Sequence, residues 1–199
     1  ELLAEIIFFK TEFYFGEKSG WRRETPELRR IYDALNKATD LDPYNMDCYY
    51  LAQGTLSWVT PAIPYLNKLL EKGAKHRTWD WYLPYFLSMN YYFQLKDPIK
   101  AAKYLREAAR LKPTSELFAS LTARMFYEGN QTEAAIEYLE SMIKETTNPL
   151  LRKKFLKRLK ALETIKFLDN ALSLYEKKFK RKANKLEDLV EANILRAIP

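Results

Sequence analysis

The sequence predicts an all-α chain, and three observations lead there. Pro26, Pro61, Pro64, Pro84 and Pro98 sit where the first turn of a helix begins, a position that loses no intrahelical hydrogen bond for want of an N–H. Apolar residues between them recur at intervals of three and four. No stretch shows the strict apolar–polar alternation of a half-buried strand. The 199 residues are 47% hydrophobic and 30% charged, enough apolar material for a sizeable core and too much for a disordered chain. Aromatic residues reach 15% while glycine contributes 5 residues, which excludes collagen-like chains, flexible linkers and glycine-cornered barrels.

Helices are expected near 1–15, 25–41, 44–58, 61–73, 80–95, 98–111, 115–128, 131–146, 149–181 and 185–193. The first opens with Leu2, Leu3, Ile6 and Ile7 in helical spacing. The second starts at Pro26, carries Ile31, Leu35 and Ala38, and stops before Pro43. The third ends ahead of Pro61 and Pro64, which open the fourth with Ala62, Leu66 and Leu69. The fifth is dense in aromatic residues and ends at Lys96–Asp97. Pro98 opens the sixth, which carries Ala101, Leu105 and Ala108 and stops at Pro113. Gly129–Asn130 separates the seventh from the eighth, and Pro149 follows the eighth. The ninth is long and basic, with an apolar stripe from Leu151 and Phe155 to Leu172 and Tyr175.

Four of these helices share a spacing. Ile31, Leu35, Ala38 and Pro43 lie at offsets of four, three and five, as do Ala101, Leu105, Ala108 and Pro113. Ala62, Leu66 and Leu69 keep the first two offsets, and so do Ala134, Tyr138 and Ser141. The step from Ala101 to Ala134 is 33 residues, and the segments "YFLSMNYYFQLKDPIKAAKYL" and "LFASLTARMFYEGNQTEAAIEYL" each read as helix, turn, helix. In this the chain resembles the tetratricopeptide family, whose helix pairs of about 34 residues stack into a right-handed α-solenoid. The resemblance implies about four helix pairs over 1–148, best matched at 81–114 and 115–148 and degenerate at 1–43 and 44–74. It also implies a basic C-terminal capping helix with a short terminal helix over 149–199. A small side chain such as Ala101 or Ala134 lets the second helix approach the first, while Leu105 or Tyr138 fills the gap. Ala38 and Ala108 then permit contact with the next pair.

Two shorter likenesses bear on location. "EIIFFKTEFYFGE", "TDLDPYNMDCYYLAQGTLSWV" and "WDWYLPYFLSMNYYF" are similar to segments of bacterial cell-envelope tetratricopeptide proteins that carry an N-terminal membrane anchor. "YEKKFKRKANKLEDLVEANILRAIP" resembles a segment of exported bacterial proteins, pilin-like ones included, although Lys182–Ala183–Asn184 stands where those have glycine and proline. These likenesses imply an extracytoplasmic protein, anchored by a segment upstream of Glu1 and continuing past Pro199. A cytoplasmic location is the alternative.

Aromatic residues mark the first candidate site. Eight of the fifteen positions 79–93 are aromatic, more than one helix seam requires. In the family, the first helix of each pair lines a concave groove that holds peptides or helices. With Lys96–Asp97 at the turn, the resemblance puts Phe86, Asn90 and Phe93 on that groove, Asn90 where family members hold a bound peptide's backbone. Tyr50, Trp58, Phe126 and Tyr127 extend the surface from neighbouring helices. The competing reading makes the same aromatic side chains inter-helix core.

The second candidate is basic. From Lys144 to Lys185 there are 14 Lys/Arg against 4 Asp/Glu, within a chain of net charge +7. Arg152, Lys153, Lys154, Lys157, Arg158, Lys177, Lys178 and Arg181 form an exposed basic surface if the apolar stripe faces inward. Such a face suits an anionic membrane surface. Nucleic acid needs a stacking platform beside the charge, and Phe155, Phe167 and Phe179 fall instead at core spacing.

Chemistry has little to work with. One histidine, His76, excludes a His–His metal pair, and one cysteine, Cys48, excludes an internal disulfide. No P-loop, GxGxxG, HExxH or GxSxG motif occurs. His76, with Asp80 nearby, reads as a solvent-facing turn residue. The sequence therefore points to a non-catalytic protein- or peptide-binding scaffold that needs no cofactor, metal or small-molecule substrate. The resemblance places that scaffold in the bacterial cell envelope, assisting assembly of a larger complex such as a pilus or secretion apparatus. The alternative is a cytoplasmic adaptor or regulator that contacts nucleic acid through its basic C-terminal helix.

Overall fold

A computed structural model describes residues 2–17, 25–112 and 116–199. The chain is all-helical, with no strand among the described residues. Among the described residues ten α-helices follow in order: α1 (Leu2–Glu17), α2 (Thr25–Leu41), α3 (Met46–Leu56), α4 (Ile63–His76), α5 (Tyr82–Met89), α6 (Pro98–Leu111), α7 (Glu116–Glu128), α8 (Thr132–Glu145), α9 (Pro149–Phe179) and α10 (Glu187–Glu191). A 3₁₀ turn, Thr60–Ala62, leads into α4, and a π turn, Asn90–Gln94, ends α5. Most of the long connection expected at 16–25, and Pro113, lie outside the described residues.

The helix starts follow local chemistry. Asn45 caps α3 by accepting from the Asp47 N–H at 3.0 Å, and Asp97 caps α6 by accepting from the Lys100 N–H at 2.9 Å. Asn148 accepts from both Leu150 and Leu151, so Pro149 opens α9 besides ending the stretch before it. Among the described residues, four non-glycine ones, Lys96, Asn130, Lys180 and Asn193, take positive φ. Lys180 does so as the left-handed C-cap of α9.

The chain divides into two compact units, Glu1–Gly129 and Asn130–Pro199. In the first, each helix packs on the next from α1 to α7, and α2 also meets α4. A core cluster built on Ile31, Leu35, Tyr49, Leu56, Leu66, Leu70, Leu83 and Leu87 joins α2 to α5, with Ile7 and Phe8 of α1 and Tyr104 of α6 packed against it. Each such side chain contributes about 1.5–3 kcal/mol of burial. The spaced triplets Ile31/Leu35/Ala38, Ala62/Leu66/Leu69 and Ala101/Leu105/Ala108 are all buried.

Polar links add to this packing. Lys72 on α4 donates to the Asn36 carbonyl at 2.9 Å, the Asn36 side chain at 2.8 Å and the Asp40 carboxylate at 2.8 Å, and so neutralises the C-terminal end of α2. The Ser88 hydroxyl, fully buried on α5, donates to the Ala101 carbonyl of α6 at 2.8 Å.

In the second unit α8 lies on α9, and Lys166 of α9 pairs with Glu133 of α8 at 3.0 Å. A smaller core joins Ala171 and Tyr175 of α9 to Leu189 and Leu195. α9 is one continuous helix of 31 residues. α8 packs along α9 within the second unit. In the fourth spaced triplet, accordingly, Tyr138 is buried while Ala134 and Ser141 are only half-buried. No helix among the described residues is long and apolar enough to cross a membrane.

Gly73 shows how tight the first unit is. A Cβ there would lie 2.7 Å from the Tyr49 ring, which is fully buried and held by its hydroxyl donating to the Pro43 carbonyl at 2.9 Å. Gly73→Ala therefore lowers stability by about 1–3 kcal/mol through overpacking, despite alanine's better helix propensity of about 1 kcal/mol. Denaturant midpoints of the two chains check it, and a gain in stability would refute the close approach.

Candidate binding face

Alternate helices of the first unit carry a continuous aromatic run. Tyr50 on α3 meets Tyr82 and Phe86 of α5 edge-on, with ring centroids 5.6 Å apart in each case. Tyr85 of α5 stacks on Phe118 of α7 at 5.3 Å, and Trp81 approaches the same ring at 5.3 Å. Lys112, just past α6, places its ammonium 3.9 Å from the Trp81 ring centroid, a cation–π contact that fixes the indole. Tyr50 and Tyr82 remain 41% and 38% exposed, while Phe86, Tyr85 and Trp81 are half-buried beneath them. The result is a surface of tyrosine edges over a packed aromatic floor. Burial pushes the Tyr50 hydroxyl above its ordinary pKa, with the Tyr82 hydroxyl adding to the effect, so Tyr50 stays a neutral donor and acceptor at physiological pH.

Asn90 is the main correction to the sequence reading. It is 2% exposed, and its amide is held inside the chain. Its Nδ2 donates to Gln53 Oε1 at 3.1 Å and to Asn67 Oδ1 at 2.9 Å, while its Oδ1 accepts from Gln53 Nε2 at 3.1 Å. A side chain so engaged cannot take up a partner's backbone. The π turn that starts at Asn90 is the reason the three expected groove residues part company. Phe86 and Asn90 keep α-helical spacing, Phe86 half-buried beside Tyr50 and Asn90 buried, and the widened turn carries Phe93 off that line to solvent.

Phe126 is also corrected: it is 5% exposed and belongs to the interior of α7. Its neighbour Tyr127 is exposed, as is Trp58 in the connection after α3. Among the described residues, no ring contact joins Tyr127 or Phe93 to the Tyr50–Tyr82–Phe86 group. Tyr92, beside Phe93, donates to the Glu128 carboxylate and holds that carboxyl below its usual pKa, with Arg124 adding to the effect.

The sequence reading missed Gln53 and Asn67. Asn67 offered a signal, a polar residue set among Leu66, Leu69 and Leu70 on the buried side of α4. Gln53 offered none, since a glutamine on a short helix is ordinarily solvated.

Arg152, Lys153, Lys154, Lys157, Arg158, Lys177, Lys178 and Arg181 are all exposed, with Phe155 and Leu162 buried on the opposite side of α9. His76 ends α4 as an exposed residue and lies edge-on to Tyr44 at 6.0 Å. Asp80 does not serve it. The Asp80 carboxylate takes the Arg77 guanidinium at 2.8 Å and caps α5 through the Tyr82 N–H at 2.9 Å. Cys48 is buried and its thiol is pushed up to about 12, chiefly by burial, so it is a structural residue and not a nucleophile. No group of three or more potential metal ligands gathers among the described residues. No family model and no curated protein sequence matches the chain.

The two classes of residue respond differently to truncation. Asn90→Ala strands the Gln53 and Asn67 amides and lowers stability by about 1–3 kcal/mol. Tyr50→Ala, on the exposed rim, costs less than that. Equilibrium denaturation ranks them, and a nearly neutral Asn90→Ala would contradict the buried network.

Proposed function

We propose that the first unit is a non-catalytic, tetratricopeptide-like scaffold and that its Tyr50–Tyr82–Phe86 face binds a protein or peptide partner. The observation that carries this reading is the aromatic run on α3, α5 and α7, continuous across alternate helices and half-exposed at its tyrosines. Tyrosine suits such a role because it buries a large area with two rotors and carries a hydrogen-bonding tip. The buried triplets of α2, α4 and α6 support the repeat reading, since they recur at matching offsets on every second helix. Binding follows from a preformed surface: apolar side chains of the partner enter between the tyrosine edges, and the hydroxyls meet its polar groups.

The envelope assignment rests on the likeness of three segments to anchored envelope proteins, and assembly of a larger complex is the role that likeness suggests. Capture from envelope and cytosol fractions of the source cells tests the reading, with Tyr50→Ala/Tyr82→Ala as the comparison chain. The expected outcome is one envelope protein retained by the wild-type chain and lost with the variant at unchanged circular dichroism. Unchanged capture removes this face from consideration.

A second surface supports a contact of its own. Between residues 152 and 160 six side chains are basic, none is acidic, and Leu150 and Leu156 lie exposed beside them. Lysines interleaved with exposed leucines suit an anionic membrane surface, where each basic residue adds about 1 kcal/mol. Vesicles containing anionic lipid should retain the chain at low salt and lose it with Lys153→Glu/Lys157→Glu. Failure to bind vesicles, together with steeply salt-dependent binding to duplex DNA or RNA, would favour the nucleic-acid adaptor instead.

A further inference from the structure

α1 has two apolar faces, and the fold uses one. Ala4, Ile7 and Thr11 turn toward α2 and the core, with Ala4 and Thr11 buried and Ile7 packed against the main cluster. On the opposite side Leu2, Ile6, Phe9 and Phe13 stand in water, Phe9 at 53% and Phe13 at 72% exposure. Their offsets of four, three and four are the alternating spacing of a coiled-coil seam. A helix apolar all round is ordinarily covered all round, and a stripe of phenylalanine and leucine on one helix is what a surface normally hides.

The charges beside the stripe select its occupant. Glu5 and Glu12 lie along one edge of it and Lys10 along the other, all three exposed. We propose that α1 pairs in parallel with α1 of a second copy of this chain. In that orientation the acidic edge of each helix meets the basic edge of its partner, and Glu5 reaches the partner's Lys10, five residues on, on both sides of the seam. Phe9 and Phe13 then stack against their own copies. An antiparallel pair would set the acidic edge against itself. A lipid surface is a poor alternative, because two glutamates rim the face for one lysine and repel anionic headgroups. A helix and a copy of itself bring together on the order of 1,000 Å², the lower end of a specific interface.

Sedimentation of the 199-residue chain between about 1 and 100 µM tests this, since a dimer of this size dissociates within such a range. The wild-type chain dimerises, and Phe9→Glu/Phe13→Glu is monomeric with unchanged helicity, because neither residue faces the core. Glu5→Lys and Lys10→Glu each weaken the dimer about fivefold, and the two together restore it to within about twofold. Ile6→Cys cross-links to itself under mild oxidation, with Cys48 buried and silent. A monomer at all concentrations overturns the proposal, as does a dimer indifferent to the phenylalanine substitutions. Charge reversals that fail to rescue each other, or an Ile6→Cys chain that does not cross-link, overturn the parallel arrangement. Vesicle binding by a monomeric wild-type chain, lost with Phe9→Glu/Phe13→Glu, would assign the face to lipid.

Discussion

Close approach between consecutive helices is the constraint on which the first unit depends. A helix can lie against its neighbour at short range only where a side chain is absent or is a methyl group, and the chain meets this with Gly73 against Tyr49 and with Ala38, Ala101 and Ala108 fully buried. Leucines beside those positions, Leu35, Leu66, Leu69 and Leu105, fill the volume the small residues leave. Two polar links then fix the arrangement. The buried Ser88 hydroxyl on the Ala101 carbonyl holds α5 to α6, and Lys72 on the end of α2 holds α4 to a helix two places back. Neither link is strong alone, at about 1 kcal/mol each, but both are specific in direction where leucine contacts are not.

That packing determines which side chains are left over. Once α2, α4 and α6 have committed their alanine and leucine faces to neighbours, the aromatic run across α3, α5 and α7 reaches the surface at Tyr50 and Tyr82 and ends on the buried Phe118. The amide group of Gln53, Asn67 and Asn90 lies beneath the same helices and resists slippage, because shifting Asn90 against α3 would break two hydrogen bonds and shifting it against α4 a third. Rigidity under a binding face matters as much as its composition, since a surface already in place leaves less entropy to be lost on association.

Element boundaries were legible in the sequence because proline and cap residues act locally. Pro26, Pro61, Pro64, Pro84 and Pro98 all fall in the first turns where they were expected, the 3₁₀ turn at Thr60–Ala62 being the one variation. The spaced triplets were legible for a related reason, that one interval of four and one of three return a residue to the same helical face. The candidate site was legible in its chemistry and not in its geometry. Nothing in "SMNYYFQL" marks a π turn, since a single i→i+5 step has no composition of its own, and that step separates Phe93 from Phe86. Asn90 was misplaced because its partners lie 37 and 23 residues away, so no local pattern could show that its amide was already engaged.

The two exposed apolar faces of the first unit differ in kind, and the difference follows from residue type. Tyr50 and Tyr82 present hydroxyl-bearing edges that water solvates, over rings already packed on Phe86, so that face is stable uncovered and suits a partner that comes and goes. Leu2, Ile6, Phe9 and Phe13 have no polar tip and no floor of their own beyond the helix that carries them. Leaving them in water costs about 25 cal/mol for each Å² exposed, a standing penalty that only a permanent cover removes. A tyrosine face and a phenylalanine stripe on one unit therefore ask for different partners: an exchangeable one for the first, and for the second one that is always at hand, as a copy of the same chain is.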